Sequence, residues 1–233
     1  MKQFTVIDHS SGRFDDRAQA GQELARALRK IAANEAVVLG IPRGGVIVAQ
    51  YLARELGTPL DIILARKIGA PANPEFAIGA VSEDGHVFLN QEYARQAGAD
   101  EAYSEQEKQR QMAEIKRRAA LFRKIHPKIP LKDRTVIVTD DGVATGATFE
   151  AALWSARCEK PRKLIAAIPV GPEDTLRRLA RQADELICLR MPEIFYALSQ
   201  FYVHFEQVDD ERVLEILRNS SKHKSPSGPR LFP

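Results

Sequence analysis

The chain alternates short, continuous apolar runs with longer segments in which apolar and polar residues mix at helical spacing. The apolar runs are rich in Val, Ile, Leu and Ala, which is typical of parallel strands buried on both faces. They occupy residues 36–41, 60–65, 136–138, 163–170 and 184–189. Because helical segments separate most of these runs, their order predicts an α/β fold, with a parallel twisted sheet, right-handed crossovers and flanking helices.

The helices are expected between and around those strands. The first is predicted over residues 14–31, where Leu24, Leu28 and Ile31 fall on one stripe. The same spacing predicts further helices over residues 46–56, 149–154, 172–181 and 209–217.

The middle of the chain departs from simple alternation. Residues 68–75 are rich in Gly, Ala, Pro and Asn, so we expect an irregular segment there. Residues 76–81 and 86–90 predict a hairpin that turns at residues 83–85. The strongly polar residues 91–124 then predict one long or two shorter helices, which we interpret as a solvated surface helix or a dimer contact.

Length and charge favour a single enzyme-sized domain. The chain has 233 residues, enough to bury a full core; we expect one domain over residues 1–218, with a helical insertion at 91–125 and a polar tail at 219–233. The net charge of +3 does not require nucleic acid, although it suits a polyanionic small substrate. The basic run at residues 116–118 lacks interleaved aromatic side chains, so nucleic acid is not an expected partner.

The sequence predicts a cytoplasmic protein. It contains no apolar run long enough to span a bilayer, and its first residues lack the apolar core of a signal peptide. Cys158 and Cys188 are isolated and have no metal-ligand spacing, so we expect both to be reduced and buried.

Candidate chemistry is concentrated in residues 136–148. An apolar strand there ends on Asp140 and Asp141 and continues into a loop of small residues that leads to a helix. The loop is therefore placed at the carboxyl end of a strand, where open α/β sheets bind ligands. Two adjacent carboxylates repel each other, so they suit sugar hydroxyls or a Mg²⁺ ion that arrives with the substrate.

The loop after the acid pair has the features of an anion site. Gly142 and Gly146 allow backbone N–H groups to face inward, while Thr145 and Thr148 add hydroxyl donors at the start of a helix. A helix N-terminus of this kind binds phosphate. A capped turn would explain a lone Asp-Gly pair, but the strand, acids, glycines and threonines together favour a sugar-phosphate site.

This segment resembles the 5-phosphoribosyl 1-pyrophosphate (PRPP) signature of the type I phosphoribosyltransferases. The resemblance covers most of residues 36–205 and implies the fold of that family, with a small hood from the terminal segments. It also implies that Asp140 and Asp141 orient the ribose, directly or through water on Mg²⁺, and act as catalytic residues. The resemblance assigns the 5-phosphate to the backbone and side chains of Gly142, Val143, Ala144, Thr145, Gly146, Ala147 and Thr148.

Two further loops resemble the pyrophosphate half of the family's site. Arg43, Gly44 and Gly45 follow the strand at residues 36–41, where family members hold the pyrophosphate of PRPP. Arg66 and Lys67, at the end of the run over residues 60–65, resemble the basic pair placed over the same group. In relatives, the segment that follows is a mobile loop that closes over the reaction, which excludes water from an activated ribosyl group.

An aromatic cluster near the C-terminus has two interpretations. Phe195, Tyr196, Phe201, Tyr202 and Phe205 either form a satellite core or belong to the hood, in which case Tyr196 or Tyr202 stacks on a planar ring.

The resemblance predicts an Mg²⁺-dependent transferase that moves ribose 5-phosphate from PRPP to a nitrogenous base in nucleotide salvage, as a possible homodimer. Transferases for 6-oxopurines carry an acid where this chain has Ala144, so hypoxanthine and guanine are disfavoured acceptors. The alternative is a non-catalytic PRPP sensor that regulates transcription or binds RNA on the same fold. The acid pair, Arg43 and Lys67 favour catalysis.

Overall fold

The computed structural model describes residues 3–29, 36–74 and 76–222. Nine strands are present in this part of the chain. They are β1 (Gln3–Asp8), β2 (Ala36–Gly40), β3 (Leu60–Ile62), β4 (Ala65–Gly69), β5 (Ala77–Ser82), β6 (Val87–Leu89), β7 (Thr135–Thr139), β8 (Lys163–Val170) and β9 (Glu185–Arg190). Six of them form a sheet in the order β1-β9-β8-β7-β2-β3, in which every neighbouring pair is parallel. The predicted α/β fold with a parallel sheet is confirmed.

Seven α-helices flank the two sheets in the described residues. They are α1 (Arg17–Leu28), α2 (Gly44–Leu56), α3 (Gln91–Gln96), α4 (Glu101–Arg123), α5 (Ala147–Cys158), α6 (Glu173–Ala180) and α7 (Asp210–Lys222). One apolar cluster packs α1, α2, α7 and part of α4 against the large sheet, and a second packs α5 and α6 against it. The strands between them are buried on both faces, which explains their nearly continuous apolar sequences.

The remaining strands form a small antiparallel sheet in the order β4-β5-β6. It packs on α5, where Ala77 and Ala80 meet Ala151 and Trp154. The ring centroids of Phe88 and Trp154 lie 4.6 Å apart. The predicted hairpin is therefore present, and it covers one side of the helix that follows the acid pair.

The structure corrects the prediction for residues 60–75. The run at 60–65 does not form one strand, because β3 ends at Ile62 and β4 begins at Ala65 in the other sheet. Arg66 and Lys67 lie within β4, opposite Val81 and Ala80. Ile68 and Gly69 belong to the same strand, with a register shift between them, rather than to an irregular segment. Local composition does not reveal that antiparallel pairing with β5 continues the strand through these residues.

Several boundaries also differ from the predictions. The first helix begins at Arg17, because Phe14 pairs with Tyr202 instead, and β1 was not predicted. The polar segment at residues 91–124 forms two helices. The last helix continues to Lys222, past the predicted start of the tail. Ile31, Glu75 and residues 223–233 lie outside the described part of the chain, and the domain boundaries stay a prediction.

Within the described residues, none of the helices is both long enough and apolar enough to cross a membrane. Cys158 and Cys188 are free thiols. Cys188 is buried as predicted, whereas Cys158 is only half-buried, so that prediction is wrong for Cys158.

Candidate functional site

The acid pair lies at the carboxyl edge of the large sheet, at the end of a strand that has a parallel neighbour on each side. Asp140 and Asp141 directly follow β7, which pairs with β2 on one side and β8 on the other. Gly40 at the end of β2 is in register with Thr139 at the end of β7. The loops that leave these two strands are therefore neighbours, as expected for a binding edge of an open α/β sheet.

The loop after β2 makes close contact with the acid pair. A Cβ atom added to Gly44 would lie 2.0 Å from Oδ2 of Asp141, and one added to Gly45 would lie 2.7 Å from Oδ1 of Asp140. Only glycine fits at such distances, since real Cβ atoms do not approach other heavy atoms below about 3 Å. The peptide bond between Pro42 and Arg43, at the start of this loop, is cis. The structure thus brings together two loops that the sequence proposed as parts of one site.

The loop between β7 and α5 is held from behind by α6. The hydroxyl of Thr175 donates to the carbonyl of Ala144 at 2.8 Å, and the guanidinium of Arg178 donates to the carbonyl of Thr145. These carbonyls are therefore directed at α6. The backbone at Gly146 has φ +73°, a left-handed conformation that glycine adopts without strain, and it precedes the first turn of α5.

The first turn of α5 provides the donors of an anion site. The first N–H groups of a helix have no intrahelical acceptor and carry the positive end of the helix dipole. Thr145 and Thr148 are exposed beside them. Val143 differs from its neighbours, because its N–H donates to the carbonyl of Val170 at 2.9 Å and its side chain is buried. We therefore correct Val143 from a PRPP ligand to a residue that supports the loop.

The two carboxylates of the acid pair have different surroundings. Oδ2 of Asp141 accepts a hydrogen bond from Nε of Arg17 at 2.8 Å, and both side chains are buried. Oδ1 of Asp140 accepts from the backbone N–H of Asp141 at 2.9 Å. Burial, followed by the negative charge of Asp141, raises the pKa of Asp140 well above its ordinary value. Asp141 is thus fixed by a cation of the protein, whereas Asp140 has no such partner among the described side chains.

The C-terminal aromatic segment supports the acid pair from the side. The hydroxyl of Tyr202 donates to the carbonyl of Asp141 at 2.5 Å, and the Tyr202 ring packs against Phe14 and Phe205. Because the Tyr202 side chain is only 1% exposed, it is not available to stack on a base, and that prediction is wrong for this residue. Tyr196 is 87% exposed, so its predicted role in base stacking stays a prediction.

Two clefts flank the loop after β2. The first, of about 270 Å³, is lined by Pro42, Arg66, Lys67 and Thr148, together with residues of α4. The predicted basic pair therefore lines the same cleft as Thr148 of the loop between β7 and α5. The second cleft, of about 330 Å³, is lined by Arg43 and by residues 205–208 of the C-terminal segment. Arg43 therefore lines a different cleft from the basic pair.

The residues present are compatible with Mg²⁺ only if the substrate contributes ligands. The described residues contain no group of three or more His, Cys, Asp and Glu side chains that could hold a metal ion. Asp140 and Asp141 offer carboxylate oxygens, but one oxygen of Asp141 is bound to Arg17. Mg²⁺ in proteins is commonly held by one or two carboxylates, water and substrate phosphates, so the acid pair fits this mode of binding.

Sequence reasoning missed Arg17, which binds the acid pair from α1, and Gln111, which reaches the first cleft from α4. A single arginine in an amphipathic helix gives no local signal, because charged residues are ordinary on the exposed face of a helix. The Gln111 side chain is part of a strongly polar segment and resembles its solvated neighbours. Only the tertiary structure shows that both are buried.

The fold and the site define a class of protein: an α/β protein with an acid pair and a helix N-terminus at the carboxyl edge of its parallel sheet. The family model for the phosphoribosyl transferase domain matches residues 10–206. The chain therefore belongs to the phosphoribosyltransferase family, as its resemblance to that family predicted.

Comparison with individual proteins agrees with this membership. Two proteins from strains of Mycobacterium tuberculosis, each named "Putative phosphoribosyl transferase", are 41% identical over 215 residues, which is 92% of this chain and 48% of theirs. The chain thus spans about half the length of these curated relatives. The crystal structure of TT1426 from Thermus thermophilus has 45% sequence identity and a TM-score of 0.85, covering 89% of this chain and 98% of that one.

Proposed function

We propose that the protein is a PRPP-dependent phosphoribosyltransferase that transfers ribose 5-phosphate to a nitrogenous base and releases pyrophosphate. The observation that carries this proposal is the contact between Gly44 and Gly45 of one loop and Asp140 and Asp141 of the next. It joins an acid pair suited to a ribose with a glycine loop suited to a phosphate group. Family membership supports the same use of PRPP.

The 5-phosphate is assigned to the loop that precedes α5. The unpaired N–H groups of the first helical turn attract an anion, and exposed Thr145 and Thr148 can donate from their hydroxyls. The ties from Thr175 and Arg178 to the loop carbonyls keep this backbone in place before the substrate binds. Preorganised donors of this kind hold a substrate at little entropic cost.

The acid pair is assigned to the ribose and to the charge that develops on it. The bond from the anomeric carbon to the pyrophosphate oxygen breaks, and the carbon gains positive charge before the base nitrogen bonds to it. Negative charge near this carbon stabilises that state. Arg17 neutralises part of the charge of Asp141. The raised pKa of Asp140 favours its neutral form until a cation lies beside it, so in this proposal Asp140 stabilises the positive charge once Mg²⁺ and the substrate are bound.

The pyrophosphate is assigned to the basic side of the 270 Å³ cleft. Arg66 and Lys67 line this cleft together with Pro42 and Thr148, so they can neutralise the leaving group while the ribose lies over the acid pair. Mg²⁺, held by Asp140, Asp141 and substrate oxygens, would add positive charge to the departing pyrophosphate. Arg43 would act from the neighbouring cleft.

The acceptor is expected to be a base other than a 6-oxopurine. Ala144 is exposed at the loop position where such transferases carry an acid, and it offers no group that could exchange a proton with the ring. A role in nucleotide salvage, a cytoplasmic location and a homodimer are further elements of the proposal. The salvage role and the homodimer come from the family resemblance, and the location comes from the sequence, which contains no apolar run long enough to span a bilayer.

The direct test measures pyrophosphate release from PRPP and Mg²⁺ in the presence of a panel of nucleobases and small aromatic acids. We expect turnover with at least one acceptor, and loss of nearly all of it in a variant that combines Asp140→Asn with Asp141→Asn but still folds. The matched control is Asp133→Asn, which changes a carboxylate outside the site. Normal turnover by the double variant would refute the assigned roles.

The sensor alternative makes a different prediction in the same assay. A non-catalytic PRPP sensor would be stabilised by PRPP, because a ligand that binds only the folded state raises its melting temperature, yet it would release no pyrophosphate with any acceptor. Salt-dependent RNA binding would accompany that result if the sensor acted on RNA. Absence of any stabilisation at millimolar PRPP would refute both functions.

A further inference from the structure

Helix α4 buries polar residues on the face that it turns towards the rest of the protein. Its buried positions are Glu107, Gln111, Ile115 and Phe122, at intervals of four, four and seven residues along one stripe. The C-terminal part of this stripe is apolar, as expected for a packed helix, but its N-terminal part consists of a carboxylate and an amide. Burial of such groups is costly unless each is hydrogen bonded. The hydrogen-bond partners of Glu107 and Gln111 therefore indicate the role of the N-terminal part of the helix.

The two buried polar residues form a chain of hydrogen bonds that ends on Arg66 of the basic pair. Oε1 of Gln111 accepts a hydrogen bond from Nε of Arg66 at 2.9 Å. Nε2 of Gln111 donates to Oε1 of Glu107 at 2.7 Å, and the same carboxylate oxygen accepts from Nη2 of Arg110 at 2.8 Å. Glu107 therefore orients the Gln111 amide with its oxygen towards Arg66. Reversal of the amide would place its nitrogen against a guanidinium, which has no acceptor atom.

This chain fixes the Arg66 guanidinium at its inner edge. Gln111 binds Nε, so the two terminal nitrogens of Arg66 retain their donor capacity at the wall of the 270 Å³ cleft. Those nitrogens match a phosphate group in geometry, because a guanidinium donates in a rigid planar fork. Arg110 and Arg118 of α4 line the same cleft. The cleft thus combines the basic residues of β4 with further cations from the helix.

We propose that α4 is part of the substrate site and that Gln111 is a positioning residue, which orients Arg66 for the pyrophosphate group of PRPP. This inference rests on the proposed function and deepens it, since it assigns a substrate-binding role to a helix whose sequence suggests only a solvated surface. Gln111 does not touch the ligand itself. It acts through the guanidinium that it holds.

The test compares the binding of magnesium pyrophosphate and of ribose 5-phosphate by titration calorimetry. Gln111→Met keeps the length of the side chain but removes the acceptor for Arg66. We expect it to weaken pyrophosphate binding about tenfold, the effect of one lost hydrogen bond to a charged group. Binding of ribose 5-phosphate, which belongs to the loop before α5, should not change. The matched control is Gln109→Met, because Gln109 is exposed on the same helix and, within the part of the chain that the structure describes, its side chain bonds to Glu105 alone.

A double-mutant cycle separates positioning from a general effect on the fold. In an Arg66→Ala background, adding Gln111→Met should cause no further loss of pyrophosphate affinity, since the residue to be positioned is gone. Fluorescence of Trp154, the single tryptophan of the chain, reports whether each variant is folded. If the Met variant does not fold, Gln111→Asn serves instead, because it keeps an amide but is one methylene too short to reach Arg66.

The outcomes distinguish this inference from the function on which it rests. Wild-type protein that binds both ligands, combined with unchanged pyrophosphate binding in the folded Gln111 variants, would overturn the inference and leave the function intact. Additive losses in the cycle, or an equal loss for ribose 5-phosphate, would also overturn it. Wild-type protein that binds neither ligand would refute the proposed function and this inference with it.

Discussion

Arg17 and Asp141 form a buried ion pair in which Nε of the arginine lies 2.8 Å from Oδ2 of the aspartate. Arg17 also donates from Nη1 to the carbonyl of Glu206 at 2.9 Å, and its guanidinium carbon lies 4.0 Å from the centre of the Phe205 ring. The Arg17 side chain therefore links helix α1 to the acid pair and to the C-terminal segment that contains Phe205 and Glu206. Any change to Arg17 should alter both the stability of the fold and the setting of the site.

Substitution of Arg17 by Met should destabilise the protein strongly. It leaves a buried carboxylate on Asp141 without its cation, and removal of one partner of a buried ion pair costs about 3–5 kcal/mol. Adding Asp141→Asn removes the stranded charge, so the double variant should regain part of the lost free energy of unfolding. Urea unfolding followed by Trp154 fluorescence measures both effects.

The matched control for this prediction is Arg54→Met. Arg54 pairs with Glu55 at 3.5 Å, but its side chain is 61% exposed, so the urea midpoint should barely move. A loss in the Arg17 variant no larger than in this control would contradict the assigned role of the buried pair.

Substitution of Gly44 by Ala should abolish PRPP binding. The new methyl group would fall 2.0 Å from Oδ2 of Asp141, so either the loop or the acid pair must move. Both belong to the proposed site, so the loss should exceed what a change in stability alone explains. The measurement is the shift in melting temperature caused by PRPP with Mg²⁺.

Gly12→Ala provides the comparison, because the nearest atom to its new Cβ would be the Ser10 hydroxyl at 3.3 Å, in an exposed loop. It should keep the full PRPP-induced shift. An undiminished shift in the Gly44 variant would show that the loop tolerates displacement, and the geometric argument for the site would fail.

The sequence was sufficient to predict the strand and loop that contain the acid pair, but not the distant residues that hold the acid pair in place. The strand that ends on Asp140 and the loop that ends at Thr148 are encoded in consecutive residues, so local pattern predicts them. Arg17 lies 124 positions from Asp141, and no periodicity links the two. Their contact exists because α1 and the hood pack beside the end of β7, which is a property of the tertiary fold.

The second sheet shows the same limit. Arg66 and Lys67 were predicted at the end of a strand of the large sheet, since the apolar run before them is continuous, but they lie within β4 of the small sheet. The chain changes sheets between Ile62 and Ala65, and the pairing with β5 decides this. On α4, charge density predicted a solvated helix, because a buried Gln111 is indistinguishable in sequence from an exposed one.

The two cysteines should differ from ordinary surface thiols in reactivity. Burial raises the pKa of Cys188 to about 12, and burial, with a smaller effect of Glu159, also raises the pKa of Cys158. Because the thiolate is the reactive form, Cys188 should not react with a disulfide reagent at pH 8 in the folded protein. Both thiols should react once urea unfolds the chain, which a colorimetric thiol assay measures.

The raised pKa of Cys188 also has a consequence for stability. In the unfolded chain a thiol ionises near about pH 8.5, while the folded protein keeps the proton until about pH 12. Between these values the unfolded state binds fewer protons, so the free energy of unfolding should decrease as pH rises. Cys188→Ala should remove this contribution to the slope, and an identical slope in that variant would contradict the prediction.

The last prediction concerns Arg123, which anchors the end of α4. Its guanidinium binds both carboxylate oxygens of Glu83, at 2.7 and 2.6 Å, and Oδ1 of Asp61 at 2.6 Å. Burial alone lowers the pKa of Arg123, but the hydrogen bond that it donates to Glu83 and the charge of Asp61 outweigh burial and raise the pKa. Asp61 also accepts the N–H of Ile129 at 2.8 Å. This single cation therefore connects α4 to β3 and to the turn of the hairpin.

Arg123→Met should cost about 3–5 kcal/mol in the free energy of unfolding, because two buried carboxylates lose their shared cation. Arg123→Lys should fall between this variant and the wild type, since an ammonium keeps the charge but cannot bind both acids in the planar geometry of a guanidinium. Arg117→Met is the control on the same helix, because its 71% exposed side chain pairs with Glu114 at the surface. The three urea midpoints should follow the order control, Lys, Met from highest to lowest. If Arg123→Lys matched the wild type, charge alone would hold α4 in place, and the bidentate contact with Glu83 would have no role in anchoring the helix that carries Gln111.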